Sequence, residues 1–153
     1  MELLDIVHPD GIISDLKATS KKQALQELAS RAAVIAEQPE REIFDTLLER
    51  ERLGSTGVGQ GIAIPHGKLN GLERLHGLFG RLSTPIEFES VDSQPVDLIF
   101  VLLAPLSAGA DHLKALARIS RLLRNKNMCA KLRGSRDANA IYALLMEPMS
   151  NAA

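Results

Sequence analysis

Residues 57–70 read GVGQGIAIPHGKLN. Three alternating glycines run into a short apolar stretch that ends in Pro65, His66 and Gly67. A rigid residue before the imidazole aims it, and the missing side chain after it leaves it uncovered, so this frame predicts an exposed, preorganised histidine. Neutral imidazole is nucleophilic near pH 7, which makes His66 a competent acceptor for a phosphoryl group. On this stretch alone a structural histidine remains the other reading. The glycines allow close backbone approach and positive φ, and so a shallow concavity whose N–H groups face an anion.

Two further residues suit an anion. His112 follows Asp111 in the first turn of a helix that opens just after an apolar strand. Free N–H groups and the positive dipole end favour phosphate there, and sites in α/β sheets gather at the C-terminal ends of strands. Taken alone, a first-turn histidine is a solvated surface residue. Arg50 lies in ERER (49–52), four residues before Gly54, where the chain turns into the glycine loop. Such a run reads first as a solvated face with helical ion pairs, yet an arginine at that mouth has the planar fork that holds phosphate.

Other chemistries lack their residues. A dinucleotide fingerprint needs a strand before the glycines and a helix after them, and here the order is reversed. There is no GxxxxGK[ST] phosphate loop, no HExxH and no GxSxG nucleophile elbow, and His76 has no metal-type spacing to His66 or His112. No metal and no cofactor is expected. His8 sits in a turn-like HPDG, and the single Cys129 reads as packing in an apolar helical turn.

The chain has 153 residues, one domain's length, with 45% hydrophobic and 24% charged residues and a formal net charge of −1. That charge argues against nucleic-acid binding, and no apolar run reaches the ~18 residues that would insert in a membrane. Glu2 and Asp5 stand where a signal peptide would be basic, so the expectation is a cytoplasmic protein.

The elements that must position these residues alternate in period. Ile12–Ala18 is a candidate strand. Ser20 and Gln23 form a capping box for a helix with Leu25, Leu28, Ala32 and Ile35 on one face, ending before Pro39. Pro39 suits the first turn of a second helix with apolar Ile43, Phe44, Leu47 and Leu48, and Gly54 fits just past its end. GSTGVGQG is too glycine-rich for regular structure. Ile62–Ile64, His76–Leu82 and Asp97–Ala104 read as strands, the last an almost continuous apolar run, as expected of a strand covered on both faces. A helix from Ser107 to about Asn125 turns Leu113, Leu116, Ala117 and Leu123 inward. Asn127–Arg133 is a short helix closed by Gly134, and Asp137 to Glu147 a last one, ended by Pro148. The tail 149–153 is expected to fray, leaving a core of about 5–148. Helices interleaved with strands make an α/β sandwich around one sheet.

Together, ERERLGSTGVGQGIAIPHGKL and the later ADHLKAL resemble the type-2 enzyme IIA domains, the fructose–mannitol class of the bacterial phosphoenolpyruvate phosphotransferase system, over nearly the whole chain. Within the class the wording is most similar to the nitrogen-regulatory branch. The resemblance implies a single α/β domain over 1–153, with a mixed, mostly parallel sheet flanked by helices on both faces. It implies His66 as the residue phosphorylated, through Nε2, with Arg50 and His112 as supporting groups. The loop amides of Thr56, Gly57, Val58 and Gly59 would complete a phosphate cradle. The donor implied is a phosphohistidine HPr-like carrier, NPr in this branch. The His66 charge state would then act as a regulatory switch on target proteins, expected to prefer the unphosphorylated form, in control of nitrogen- or potassium-type metabolism. The alternative is a sugar-specific IIA that passes phosphate to a separate EIIB for fructose- or mannitol-like uptake. Some mannitol-type members carry an acid where this chain has Gln60, which weakens that alternative. Transfer between two histidines starts from an activated phosphoramidate, so positioning and charge neutralisation are the protein's share of the work.

Overall fold

The computed structural model describes residues 2–147. After a 3-10 turn at Leu3–Asp5 come β1 (Val7–Ile13), α1 (Lys21–Ala36), α2 (Glu40–Arg52), β2 (Gly57–Gly59), β3 (Ile62–Ala63), β4 (His66–Leu69), β5 (His76–Ile86), β6 (Val96–Pro105), α3 (Ala110–Arg124), α4 (Lys126–Gly134) and α5 (Ala138–Met146). The strands form one sheet in the order β1-β5-β6-β3-β2, with β4 also on β6. Three pairs are parallel (β1 with β5, β3 and β4 with β6), while β5–β6 and β2–β3 are antiparallel. The α/β sandwich with a mixed, mostly parallel sheet is therefore present.

The apolar run of β6 alternates between two cores. Leu98, Phe100, Leu102 and Ala104 pack with Ala115, Ile119, Leu122, Leu132 and Ile141 from α3, α4 and α5. Ile99, Val101 and Leu103 pack with Leu25, Leu28, Ile43 and Leu47 from α1 and α2. A strand buried on both faces has no polar face to show, which is why its sequence reads as continuous rather than alternating.

β3 and β4 run end to end along one edge of β6. Ile62 pairs with Leu98, Ala63 with Ile99, and then His66 with Leu102, all at the same offset. They are one strand in register, broken at Ile64–Pro65 because proline has no N–H to give the ladder. The register survives because the Leu102 amide donates to the Pro65 carbonyl at 3.0 Å.

Several expectations need correction. The first strand is Val7–Ile13, not Ile12–Ala18. HPDG lies inside it as an irregularity between Val7 and Ile12, so His8 is in a strand and not a turn. An edge strand tolerates such a proline. The glycine loop is partly regular, since Gly57–Gly59 pairs with β3. The Ser20 hydroxyl does cap Gln23, but the Gln23 side chain reaches Thr19 rather than Ser20. On α3 the inward residues are His112, Ala115, Ile119, Leu122 and Leu123, whereas Leu113 is 68% exposed and Ala117 is exposed too. That face is rotated by one position because His112 itself is buried against the sheet. Pro39 caps α2 from outside, and Gly134 is the last residue of α4 rather than beyond it. Pro148 and the tail 149–153 lie outside the described residues. Among the described residues no helix is long and apolar enough to cross a membrane.

Candidate functional site

His66 opens β4 directly after the proline break. Its partner Leu102 faces the α3 side, and residues paired across a ladder share a face. The imidazole therefore meets the first turn of α3, where His112 lies: the two rings are edge-to-face with centroids 5.7 Å apart. The His66 Nδ1–H donates to the Ile64 carbonyl at 2.8 Å. A carbonyl only accepts, so this bond assigns the proton to Nδ1 and leaves the lone pair on Nε2.

Gly67, the next residue, pairs with Leu103 and faces the other side, toward α2. A Cβ there would lie 2.6 Å from Thr46 Cγ2, so only glycine lets α2 sit this close to β4. That close approach brings the C-terminal turn of α2, with Arg50 and Glu51, to the site. Arg50 donates through Nη1 to the Gly54 carbonyl at 2.9 Å, which ties its guanidinium to the helix end.

Both histidines are held below the ordinary histidine value of 6.5. For His66 the main cause is burial. The Arg50 charge adds to it, while the Ile64 hydrogen bond and the Glu51 charge oppose it. For His112 burial leads again, followed by His66 and Lys68. Both rings are therefore neutral at pH 7, the state in which an imidazole is a nucleophile or a neutral hydrogen-bond donor. His112 is 8% exposed and its Nε2 has no protein partner. A buried ring nitrogen without a partner is an uncommon arrangement at a site otherwise well satisfied.

The structure thus brings together His66, His112 and Arg50, with two departures from expectation. His66 is half-buried rather than exposed. His112 is buried rather than solvated. The four loop residues lie at the same corner, but not all their amides are free. Thr56 N–H donates to both Glu51 carboxylate oxygens at 3.2 Å, and Gly57 N–H donates to Ser55 Oγ at 3.0 Å. A phosphate cradle from Thr56 and Gly57 amides is therefore not presented, which leaves Val58 and Gly59, the latter paired with Ile62 in the β2–β3 ladder. Gly57 is instead pressed against Ser90, and Gln60 takes a left-handed φ of 58°, its N–H on Asp92 at 2.9 Å.

The ERER run is not one solvated face either. Arg52 and Glu49 do pair on the surface, but the Glu51 side chain is 2% exposed. No sequence signal marked Glu51, because its partner Thr56 is met only after the chain turns past Gly54. His76 and Cys129 are both buried away from the site, and Cys129 Sγ–H donates to the Leu123 carbonyl at 3.1 Å. Among the described residues no group of three or more His, Cys, Asp or Glu could hold a metal ion.

The sheet edge thus presents one aimed histidine against a second, with an arginine at the neighbouring helix end. Residues 5–147 match the family model described as phosphoenolpyruvate-dependent sugar phosphotransferase system, EIIA 2, and the chain belongs to that family. It is 61% identical over 153 residues, all of both chains, to a nitrogen regulatory protein of Bradyrhizobium diazoefficiens. It superposes with a TM-score of 0.88 and 34% identity on the crystal structure of nitrogen regulatory protein IIA-Ntr from Neisseria meningitidis, over 94% of this chain and 98% of that one. It also shares its fold with IIA mannitol from Escherichia coli, with a TM-score of 0.75 and 18% identity, over 90% of this chain and 97% of that one.

Proposed function

We propose that the protein is a histidine phosphocarrier that accepts a phosphoryl group on Nε2 of His66 from a phosphohistidine HPr-like donor of the NPr kind, and that this charge state works as a regulatory switch in nitrogen- or potassium-type metabolic control. The observation that carries the reading is the Nδ1–H bond of His66 to the Ile64 carbonyl, which aims a neutral ring with its Nε2 lone pair free.

In the transfer, Nε2 attacks phosphorus as the donor's P–N bond breaks, and the donor ring, protonated on its other nitrogen, leaves as a neutral imidazole with the electron pair of that bond. No proton has to move. The positive charge that grows on the His66 ring is shared through Nδ1–H with the Ile64 carbonyl. Charge spreading over the equatorial oxygens needs donors that are already in place. Arg50 supplies fixed positive charge, and His112 supplies a neutral donor in its Nε2–H tautomer. Phosphorylation adds about −1.5 to −2 charges at one point on a weakly charged surface, enough to change how a target binds there.

The regulatory reading is favoured over delivery to a sugar EIIB by the 61% identity, end to end, to a nitrogen regulatory protein, against 32% to a fructose-specific EIIA component of Haloferax volcanii. Its setting is the cytoplasm, where such donors work. Incubation with phosphoenolpyruvate, enzyme I and the HPr-like donor is expected to add one acid-labile, alkali-stable phosphoryl group. His66→Ala is expected to abolish it, and label that survives this change refutes the assignment.

A further inference from the structure

Glu51 is a charged group for which that reading has no use, and the fold buries it beside the site. Its carboxylate, 2% exposed, takes Lys21 Nζ at 3.1 Å, the Thr56 amide at 3.2 Å on each oxygen, and the Thr56 hydroxyl. Lys21 is itself fixed, 3.0 Å from Glu89 and 5.0 Å above the Phe88 ring. A buried ion pair contributes little net stability compared with apolar packing, so its presence calls for another account.

The account lies in what Thr56 holds. With its amide and hydroxyl clamped, its carbonyl accepts from the Ile64 amide at 3.0 Å. The Ile64 carbonyl in turn accepts from His66 Nδ1–H. An unbroken path of hydrogen bonds therefore runs from the end of α2, through Thr56 and the segment at the proline break, to the imidazole. The break is where the sheet gives least support, because Ile64 and Pro65 lie outside both β3 and β4. Arg50 and Glu51, about 100° apart around the helix axis, divide the corner. One ties the helix end at Gly54 and the other clamps the strand that follows.

We propose that Glu51 is a positioning residue for phosphoryl transfer, which fixes the orientation and the Nδ1–H tautomer of His66 through Thr56 and Ile64. This rests on the reading of His66 as phosphoacceptor. The carboxylate also acts on the ring by charge: it favours the protonated imidazole, against burial and Arg50. Glu51→Gln keeps shape and one acceptor for Thr56 but removes the charge that pairs Lys21, and its N–H₂ replaces the oxygen that takes Lys21 Nζ and shares the Thr56 amide.

The experiment combines two readouts on wild type, Glu51→Gln and Thr56→Val. Nitrogen-15 NMR of the imidazoles reports tautomer and titration of His66, and donor-to-protein transfer reports kcat and KM. In Glu51→Gln the single Nδ1–H tautomer should give way to a mixture, and His66 should titrate lower still. There kcat should fall about 10- to 100-fold, as for a modest misplacement of a reacting group, while KM for the donor moves less than about 2-fold. Thr56→Val, which loses only the hydroxyl, should shift both readouts the same way by less, and it carries the test alone if Glu51→Gln does not fold. A folded Glu51→Gln with wild-type tautomer and transfer overturns the proposal, and so does one that loses transfer while His66 keeps its tautomer. Failure of wild-type protein to be labelled at His66 would instead sink the phosphoacceptor reading, and the NMR result would still decide what Glu51 does to the ring.

Discussion

Gly67→Ala perturbs the site from the side opposite the chemistry. The added Cβ would lie 2.6 Å from Thr46 Cγ2, against an ordinary carbon contact of ~3.5–4.0 Å, an overlap of about 1 Å. Thr46 is β-branched and on a helix, so it yields poorly: its other rotamer swaps the methyl for a hydroxyl. Overpacking of this size costs about 1–3 kcal/mol. Alanine also stiffens the unfolded chain, which offsets about 0.4–1 kcal/mol, so the net loss should be about 1–2 kcal/mol. At this chain length that is a fall in Tm of about 2–8 °C. With no Trp and one Tyr, the unfolding is best followed by far-UV circular dichroism in heat and urea. The other atoms near that Cβ, Thr46 Cβ and Thr46 O, are both at an ordinary 3.9 Å, so Thr46→Ser removes the whole conflict. The double variant should recover at least about 1 kcal/mol relative to additivity. Gly67→Ala at the parent midpoint, or equally destabilised with and without the threonine methyl, refutes the claim that this glycine sets the α2–β4 distance.

The same geometry and charges give two further expectations. His112→Ala and Arg50→Ala should fold yet accept phosphate slowly, each losing about 2–4 kcal/mol of transition-state stabilisation. Arg50→Lys should fall between, keeping charge without the fork, as single-turnover rates with the phosphorylated donor would show. Stability should fall on acidification. His66, His76 and His112 all titrate below 6.5 in the folded protein, chiefly through burial, so the unfolded chain binds protons that the fold refuses. Their contribution is complete above the unfolded value of 6.5 and is lost as pH falls through the folded values. Urea midpoints should therefore drop from pH 7.5 to pH 5, and His76→Gln should make that slope shallower without touching transfer.

What was legible in the sequence is what short range decides. The β6 run, the Ser20 and Pro39 helix boundaries and the frame around His66 each announce themselves within a few residues. What was not legible depends on contacts far along the chain. HPDG has turn chemistry and becomes strand only because β5 offers a parallel edge, with Ile12 and Ile13 opposite Phe79 and Gly80. The glycine loop gains a strand from β3. The face of α3 was misplaced by one position because a histidine, not a leucine, fills the inward place in its first turn, and apolar periodicity does not count histidine. Glu51 looked like one charge in a surface run, since nothing local says that Thr56 and Lys21 will close over it. For the site, this means the residues that the structure brings together, His66, His112 and Arg50, could be named in advance, and those that hold them could not.

That division has a physical cause at Pro65. A histidine in the middle of an intact parallel strand would have its neighbours on both sides in the ladder, and its ring would follow the pleat with no separate control. The missing proline N–H interrupts β3–β4 one residue before His66, while the Pro65 carbonyl still takes the Leu102 amide and keeps the offset. Ile64, one residue out of phase with Pro65, turns its backbone groups away from β6: its carbonyl takes the imidazole proton, and its amide is held by Thr56. The ring orientation then passes from the sheet to the α2–β2 corner, the corner that also carries Arg50. His66 and Arg50 are set by one connected piece of backbone, and a displacement of either should be felt by both.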